Sequence, residues 1–267
     1  MTIQAITTAG SYTHLPFPTK FVAPEVSTEV PTVEWRDFAG ARTTRAVLER
    51  IGQKTAAGPI ACFSDVHGNL AALKAVLAAC RERGVTDIFV AGDLLLGGGE
   101  PLEVWQELQR ASARCVRGPS DLALGTVNAS SLRATTPEEA ERAQAFQRTQ
   151  QALGDLVRRR LVELPDRIRV PLVDGRELLV VHGSPADPFE GIDHDLEDEV
   201  VLAMIGGDPA DIVVCGATHV PYQRTVQDVH VVNVGSVGQA PGGGIAHFTI
   251  ITPAFDGAKI EQTFVEL

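Results

Sequence analysis

The sequence has few cysteines, and none of them belongs to a metal-binding or redox motif. Its four cysteines, Cys62, Cys80, Cys115 and Cys215, include no pair with C-x-x-C spacing. Three of them, Cys62, Cys115 and Cys215, stand in short apolar runs that are typical of buried strands. The pattern favours reduced thiols in the core over zinc binding or redox chemistry at cysteine.

Positive charge and long apolar runs are also scarce. The 267 residues contain 23 Lys and Arg against 34 Asp and Glu, which gives a net charge of −11. Such a surface repels polyanions, so a nucleic-acid polymer is not an expected partner. No apolar run approaches the roughly 20 residues that span a bilayer, and Met1 to Phe17 lacks the basic start and apolar stretch of a leader. We therefore expect no membrane association and a location in the cytoplasm.

The first 57 residues differ from the rest of the chain. Four prolines between residues 16 and 31 interrupt any regular element there. Residues 1–57 are predicted to be an N-terminal extension that packs on the body through Val33, Trp35 and Phe38, because an exposed aromatic cluster is a liability without a partner. An extension of this composition can mediate association, so the sequence is compatible with an oligomer. Residues 58–267 are predicted to form one domain.

From residue 59 onward, short apolar runs alternate with longer amphipathic segments, as in α/β or α+β folds that contain βαβ units. Helices are predicted at residues 70–83, 101–111, 137–162 and 196–205, and strands at 60–63, 88–91, 114–117, 168–173, 177–181, 212–215, 229–234, 246–252 and 260–265. Asp174 and Gly175 mark a hairpin turn, because both positions tolerate positive φ. Within the domain, segment 122–164 is predicted to be helical and cap-like, with Thr136 capping its long helix.

Carboxylates and imidazoles follow four of the predicted strands. Asp65 and His67 come after the first strand, Asp93 after the second, and His182 and His219 after two later ones. Side chains at the carboxyl ends of strands meet in the crevice where open α/β sheets bind ligands. Mixed carboxylate and imidazole ligands suit manganese, iron or zinc, so the pattern predicts a divalent-metal site. The alternative is that the aspartates cap a helix or make a turn and that the histidines are satisfied near-core residues.

Five motifs stand in order along residues 59–267. They are Ser64 to Asn69 (SDVHGN), Gly92-Asp93, Val181 to Pro185 (VHGSP), Thr218 to Pro221 (THVP) and Asn233 to Gly238 (NVGSVG). This order resembles the calcineurin-like metallophosphoesterases and is most similar to their small bacterial and archaeal branch. The resemblance implies two mixed β-sheets that pack as a sandwich flanked by helices.

The same resemblance implies a pair of metal ions that share one aspartate. Asp65, His67 and His219 would hold the first ion. Asp93 would bridge the two ions, and His182 would bind the second. Asn69 would orient the attacking water or a phosphate oxygen. Paired cations of this kind bind phosphate oxygens and activate a water for attack at phosphorus.

Two departures from the family pattern fall on the second metal. The chain has Gly118-Pro119-Ser120-Asp121 where the family has Gly-Asn followed by His, Cys or Tyr and an acid, and it has Gly216-Ala217-Thr218-His219 where the family has Gly-His-Thr-His. Neither Pro119 nor Ala217 has a side-chain group that coordinates a metal. We therefore predict one well-held ion and a second that is weak or absent. Ser120 stands where many relatives have a histidine as general acid, and a hydroxyl donates a proton poorly at neutral pH.

The sequence therefore predicts a metal-dependent phosphoesterase that acts on a small phosphomonoester, phosphodiester or nucleotide. Its predicted catalytic residues are Asp93, Asn69, His182 and Ser120, and its predicted metal ligands are Asp65, His67, Asp93, His182 and His219. One alternative is a catalytically weak or inactive relative that serves as a binding or scaffold protein. Another is a mononuclear hydrolase with a substrate that is not a phosphate ester.

Overall fold

The computed structural model describes residues 55–207 and 209–267. The predicted extension, residues 1–57, lies outside the described residues except for its last three. The predicted packing of Val33, Trp35 and Phe38 on the body also falls outside them.

Strands and helices alternate through the first half of the described chain, and strands dominate the second half. The strands are β1 Ile60–Phe63, β2 Asp87–Ala91, β3 Arg114–Val116, β4 Arg167–Pro171, β5 Glu177–Val181, β6 Ile212–Cys215, β7 Tyr222–Val226, β8 Val229–Asn233, β9 Ile245–Ala254 and β10 Gly257–Glu266. The α-helices are α1 Leu70–Glu82, α2 Pro101–Arg110, α3 Pro119–Thr126, α4 Pro137–Glu163 and α5 Asp198–Ile205, and a 3₁₀ turn spans Ala129–Ser131.

The strands form two mixed sheets of five. The first sheet has the order β10-β9-β1-β2-β3 and the second has the order β4-β5-β6-β8-β7. In each sheet three adjacent strands are parallel, β1-β2-β3 in the first and β5-β6-β8 in the second, while the remaining strands pair antiparallel. Parallel strands end at the same edge of a sheet, so the loops after β1, β2, β5 and β6 can meet.

Three apolar layers hold this arrangement together. The central layer lies between the sheets and contains Cys62 and Phe89 of the first sheet beside Val180 and Val214 of the second. The outer face of the first sheet packs against α1 to α4, and the outer face of the second packs against α5. Neighbours in β1 alternate between the layers, because successive side chains of a strand point to opposite faces. The predicted sandwich with helices outside is confirmed.

The helix starts have local causes. The Asn69 side chain accepts a hydrogen bond from the backbone N–H of Ala72 at 3.1 Å and so caps α1. Thr136 and Glu139 form a reciprocal capping box at the start of α4, as the sequence predicts for Thr136. Helix α4 is interrupted at Gly154, whose φ of 66° is outside the helical region.

The structure contains two elements that the sequence pattern did not predict. One is the start of helix α3, residues 119–121, which precedes the predicted helical segment 122–164, and the other is the edge strand β7. Segment 122–164 contains most of α3, the 3₁₀ turn and α4, and its Phe146, Leu153 and Leu161 pack into the layer that covers the first sheet. Strands β9 and β10 pair over ten residues each and are therefore longer than the predicted strands at 246–252 and 260–265.

The four cysteines are buried and free, as predicted. In the part of the chain that the structure describes, no helix has the length and apolar character needed to cross a membrane.

Candidate metal centre

The five predicted metal ligands converge at the carboxyl ends of four parallel strands. Asp65 and His67 follow β1, Asp93 follows β2, His182 follows β5 and His219 follows β6. Two clusters result, in each of which the potential ligand atoms lie within 4.8 Å of one another. One cluster is Asp65, His67 and His219, and the other is Asp65, Asp93 and His182. Side chains separated by more than a hundred residues thus come together only because the two sheets pack face to face.

The backbone at this site is strained. Seven non-glycine residues of the described chain have positive φ, and five of them are at the site: Asp65 (56°), His67 (49°), Asp93 (51°), Ala217 (68°) and His219 (63°). Such conformations cost about 1 kcal/mol or more each and persist where surrounding contacts impose them. Here the backbone N–H of Asp65 donates to Gly92 O at 3.0 Å, and that of His67 donates to Asp93 O at 3.1 Å. The fold therefore holds these side chains in place at a cost to its free energy of unfolding.

In the first cluster, three potential ligand atoms face one another. His67 Nδ1 lies 2.7 Å from Leu96 O, and because a carbonyl only accepts, Nδ1 carries the proton of the neutral ring, whose Nε2 then has the lone pair. His67 Nε2 lies 3.2 Å from His219 Nε2. Asp65 Oδ1 lies 3.2 Å from His219 Nε2 and 3.6 Å from His67 Nε2. Asp65 is fully buried, and its Oδ1 has no hydrogen bond of acceptable geometry.

The titration behaviour of this cluster reflects its unpaired negative charge. Burial raises the pKa of Asp65, but interactions with His219 and His67 outweigh burial and hold the pKa well below the usual range. Burial lowers the pKa of His67, but the close contact with the negative charge of Asp65 outweighs burial and raises the pKa to about 9. Without a metal, a proton on imidazole is the available counter-charge for Asp65.

The second cluster has the same chemistry around Asp93. His182 Nδ1 donates to Ala91 O at 2.7 Å, which directs Nε2 toward Asp93 Oδ2 at 3.8 Å. Burial lowers the pKa of His182, while the charges of Asp93 and Asp65 raise it, and the net direction is upward. Asp93 Oδ1 is occupied, since it accepts from the backbone N–H of Ser120 at 3.0 Å.

Each aspartate therefore has one oxygen tied to a backbone amide and one oxygen free. Asp65 Oδ2 accepts from the backbone N–H of Ala217 at 3.1 Å, which leaves the buried Oδ1 without a hydrogen bond. In the described chain, no lysine or arginine pairs with Asp65 or Asp93. A buried, unneutralised carboxylate that faces imidazole lone pairs is the donor set of a divalent cation, so the residues present fit a metal at the first cluster.

The clusters refine the predicted division of ligands. We predicted that Asp93 bridges the two ions and that His182 binds the second, and the structure places Asp93 beside His182 and Asp65 in the second cluster. Asp65 belongs to both clusters, so the second one has three potential ligands where the sequence indicated two. The bridging role of Asp93 remains a prediction.

Asn69 is half-buried, and Ser120 is buried. The Asn69 side chain caps α1 through Oδ1, and its Nδ2 lies 3.4 Å from Gly238 O. Ser120 is buried at 4% exposure, and its Oγ has no hydrogen-bond partner among the described residues. The predicted roles of Asn69 in orienting water or phosphate and of Ser120 in catalysis remain predictions.

Two glycines permit the close approach of loops at the site. A Cβ on Gly118 would lie 2.1 Å from Asp93 Oδ1, and a Cβ on Gly216 would lie 2.1 Å from Ser64 Oγ and 2.7 Å from Asp65 Oδ2. Sequence reasoning did not assign a site role to either glycine. Their position directly beside the metal-ligand motifs was the available signal.

Comparison with known proteins identifies the family. Residues 59–254 match the calcineurin-like phosphoesterase superfamily domain. The chain belongs to this superfamily. A metallophosphoesterase from Sphaerobacter thermophilus is similar in structure, with 26% identity, a TM-score of 0.62, and coverage of 78% of this chain and 89% of that one. The predicted family is confirmed.

Two further relatives agree. A hypothetical protein from Pyrococcus horikoshii shares the fold at 21% identity and a TM-score of 0.63, with 78% of this chain and 87% of that chain covered. An uncharacterised protein from Methanocaldococcus jannaschii is 26% identical over 201 residues, which is 69% of this chain and 78% of that protein. This phosphoesterase is thus a member of a family of metal-dependent hydrolases that act on phosphoester bonds.

Proposed function

We propose that this phosphoesterase hydrolyses a small phosphomonoester, phosphodiester or nucleotide with one firmly held divalent ion, either manganese, iron or zinc. Asp65, His67 and His219 would hold that ion, and Asp93 and His182 would hold a second, weaker one. A bound divalent ion polarises phosphate oxygens and makes a bound water acidic enough to attack phosphorus. The observation that carries the proposal is the buried Asp65 Oδ1, which has no hydrogen bond within the described part of the chain and faces two imidazole nitrogens.

The predicted ligands differ in their exposure to solvent. The Asp65 and His182 side chains are 0% and 2% exposed, whereas those of His219 and Asp93 are 24% and 14% exposed. A substrate therefore approaches over His219 and Asp93. The carboxylates would repel a phosphate, and no described arginine or lysine pairs with them, so the imidazoles and the cation must supply the attraction. A small, soluble substrate in the cytoplasm suits this acidic protein.

Hydrolysis of aryl phosphates tests the proposal. The purified protein is assayed with p-nitrophenyl phosphate and bis-p-nitrophenyl phosphate after addition of Mn²⁺, Fe²⁺ or Zn²⁺. His219→Asn, which suits the positive φ at this position, should lower kcat/KM by about 100-fold or more, since it removes a ligand. His230→Asn is the matched control, because the His230 side chain hydrogen-bonds to Thr225 and Gln223 on strand β7, and the variant should leave activity within about twofold. Absence of turnover with every metal would refute the proposal.

A second candidate function is binding without catalysis. It is favoured by Pro119 and Ala217, which occupy the two positions where the family provides ligands to the second ion. The double variant Pro119→Asn/Ala217→His decides between the two functions. If the natural protein is a binding protein, the variant should gain both a second equivalent of Mn²⁺ and hydrolytic activity. If the natural protein already turns over as fast as the variant, the binding-only interpretation fails.

A further inference from the structure

The Gly118–Asp121 turn has no metal-binding side chain at Pro119, and yet it is packed tightly into the site. It consists of Gly118, which caps α3, and the first three residues of α3, and Gly118, Ser120 and Asp121 are all buried. Asp121 is completely inaccessible to solvent. If metal coordination were the only function of this segment, the proline at position 119 would leave nothing at the site to keep the segment beside Asp93. The burial of the segment at the site therefore indicates a second function.

Two hydrogen bonds between backbone amides and carboxylate oxygens connect the turn to Asp93 and its neighbour Leu94, and a third lies within the turn. Ser120 donates its backbone N–H to Asp93 Oδ1 at 3.0 Å. Asp121 accepts from the backbone N–H of Leu94, the residue after Asp93, through Oδ1 at 3.0 Å. It also accepts from the backbone N–H of Gly118 through Oδ2 at 2.9 Å. Adjacent residues of the turn thus hold adjacent residues of the β2 loop.

These contacts determine which oxygen of Asp93 remains available. Because Oδ1 is held by the Ser120 amide, Oδ2 is the oxygen that faces His182 Nε2 at 3.8 Å. Gly118 lets the turn come this close, since a Cβ there would lie 2.1 Å from Asp93 Oδ1. If the Asp121 carboxylate released Leu94 and Gly118, both anchors of this geometry would be lost.

A capping function alone does not account for Asp121. Helix α4 has a capping carboxylate at the equivalent position, Glu139, and that residue is only half-buried. Asp121 is instead buried beside a second carboxylate, and burial and the charge of Asp93 raise its pKa to about 7 despite two backbone hydrogen bonds. This buried position is unfavourable for an acid, which indicates that the hydrogen bonds of Asp121 with the Leu94 and Gly118 amides have a function at the site.

We propose that Asp121 is a positioning residue for Asp93: its carboxylate ties the Gly118–Asp121 turn to Leu94, so that the Ser120 amide holds Asp93 Oδ1 and presents Asp93 Oδ2 to the metal centre. The turn keeps this function although Pro119 contributes no ligand. The consequence for metal binding rests on the proposed function. The positioning itself can be measured in the metal-free protein.

Amide exchange measures the positioning directly. In the chelator-treated protein, NMR follows hydrogen exchange at the Ser120 and Leu94 amides of the wild type, Asp121→Ala and Asp121→Asn. The asparagine variant keeps the side-chain volume and replaces one acceptor oxygen by a donor, which guards against simple loss of folding. Glu139→Ala is the matched control, since it removes a capping carboxylate from α4 far from Asp93 in sequence. Exchange at both amides should accelerate about tenfold or more in the Asp121 variants and stay unchanged in the control.

Calorimetric titration with Mn²⁺ supplies the second measurement. Affinity should fall about 10- to 100-fold in both Asp121 variants and remain within about twofold in Glu139→Ala. Unchanged exchange at Ser120 in the folded Asp121→Asn variant would overturn the positioning role, whatever happens to metal binding. A wild-type protein that binds none of Mn²⁺, Fe²⁺ and Zn²⁺ would refute the proposed function instead, while accelerated exchange at Ser120 would still support the positioning role.

Discussion

Between about pH 6 and about pH 10, the metal-free protein should lose about 3 kcal/mol of its free energy of unfolding through His67. The folded-state pKa of His67 is raised from 6.5 to about 9 by Asp65. Below the unfolded-state pKa both states are protonated, and the contact with Asp65 stabilises the fold fully. As the pH rises through 9 the folded protein also loses this proton, and the stabilisation disappears. One pKa unit is worth about 1.4 kcal/mol, which sets the magnitude for this nearly buried group.

Urea unfolding of the chelator-treated protein, followed by circular dichroism, provides the measurement. His67→Asn is the reference because asparagine tolerates the φ of 49° at this position. Other groups, including His182, also titrate in this range, so the quantity of interest is the difference between wild type and variant at each pH. That difference should shrink by about 3 kcal/mol at the higher pH. Saturating Mn²⁺ should abolish the loss, since a metal ligand must be unprotonated. Equal pH dependence in both proteins would refute the assigned electrostatics.

Three other substitutions have defined outcomes. Gly118→Ala should lower thermal stability by about 1–3 kcal/mol and weaken Mn²⁺ binding in calorimetry, because its Cβ would meet Asp93 Oδ1 at 2.1 Å; unaltered binding would contradict the tight approach. Ala217→Gly should raise stability in urea by about 0.5 kcal/mol, because Ala217 has a φ of 68°, and a loss would mean that the strain is absent. Thr136→Ala should cost about 1 kcal/mol by the same measurement, because Thr136 Oγ1 accepts from Glu139 N; no change would show that this cap is not formed in solution.

Most of the fold could be predicted because its strands are short apolar runs. Strands β1, β5 and β6 are entirely buried, and buried strands appear in a sequence as continuous apolar segments. Strand β7 escaped prediction for the opposite reason. Its sequence from Tyr222 to Val226 is mostly polar and partly exposed, and its pairing with β8 at the sheet edge supplies the stabilisation that its composition lacks.

The start of helix α3 escaped prediction because it resembles a turn. Gly118-Pro119-Ser120-Asp121 contains four residues that favour turns. The same residues also suit a helix start, with Pro119 at the first position and Asp121 at the third. Tertiary contacts decide between these local options. Asp121 is buried against the β2 loop, and Gln150 and Arg158 of α4 donate hydrogen bonds to Leu124 O near the other end of α3.

The sequence by itself determined the donor types of the candidate metal centre, because these are properties of residue identity and of position after a strand, and its resemblance to the family pattern showed the departures at Pro119 and Ala217. Only the tertiary structure decided how the donors group. Asp65 and Ala217 are 152 residues apart, and Leu94 and Asp121 are 27 apart. Hydrogen bonds over such separations depend on the register of the strands and the packing of the sheets, which no local pattern records. For that reason the sharing of Asp65 between both clusters, the imidazole nitrogens left free and the restraint of Asp93 by Asp121 emerge only from the fold.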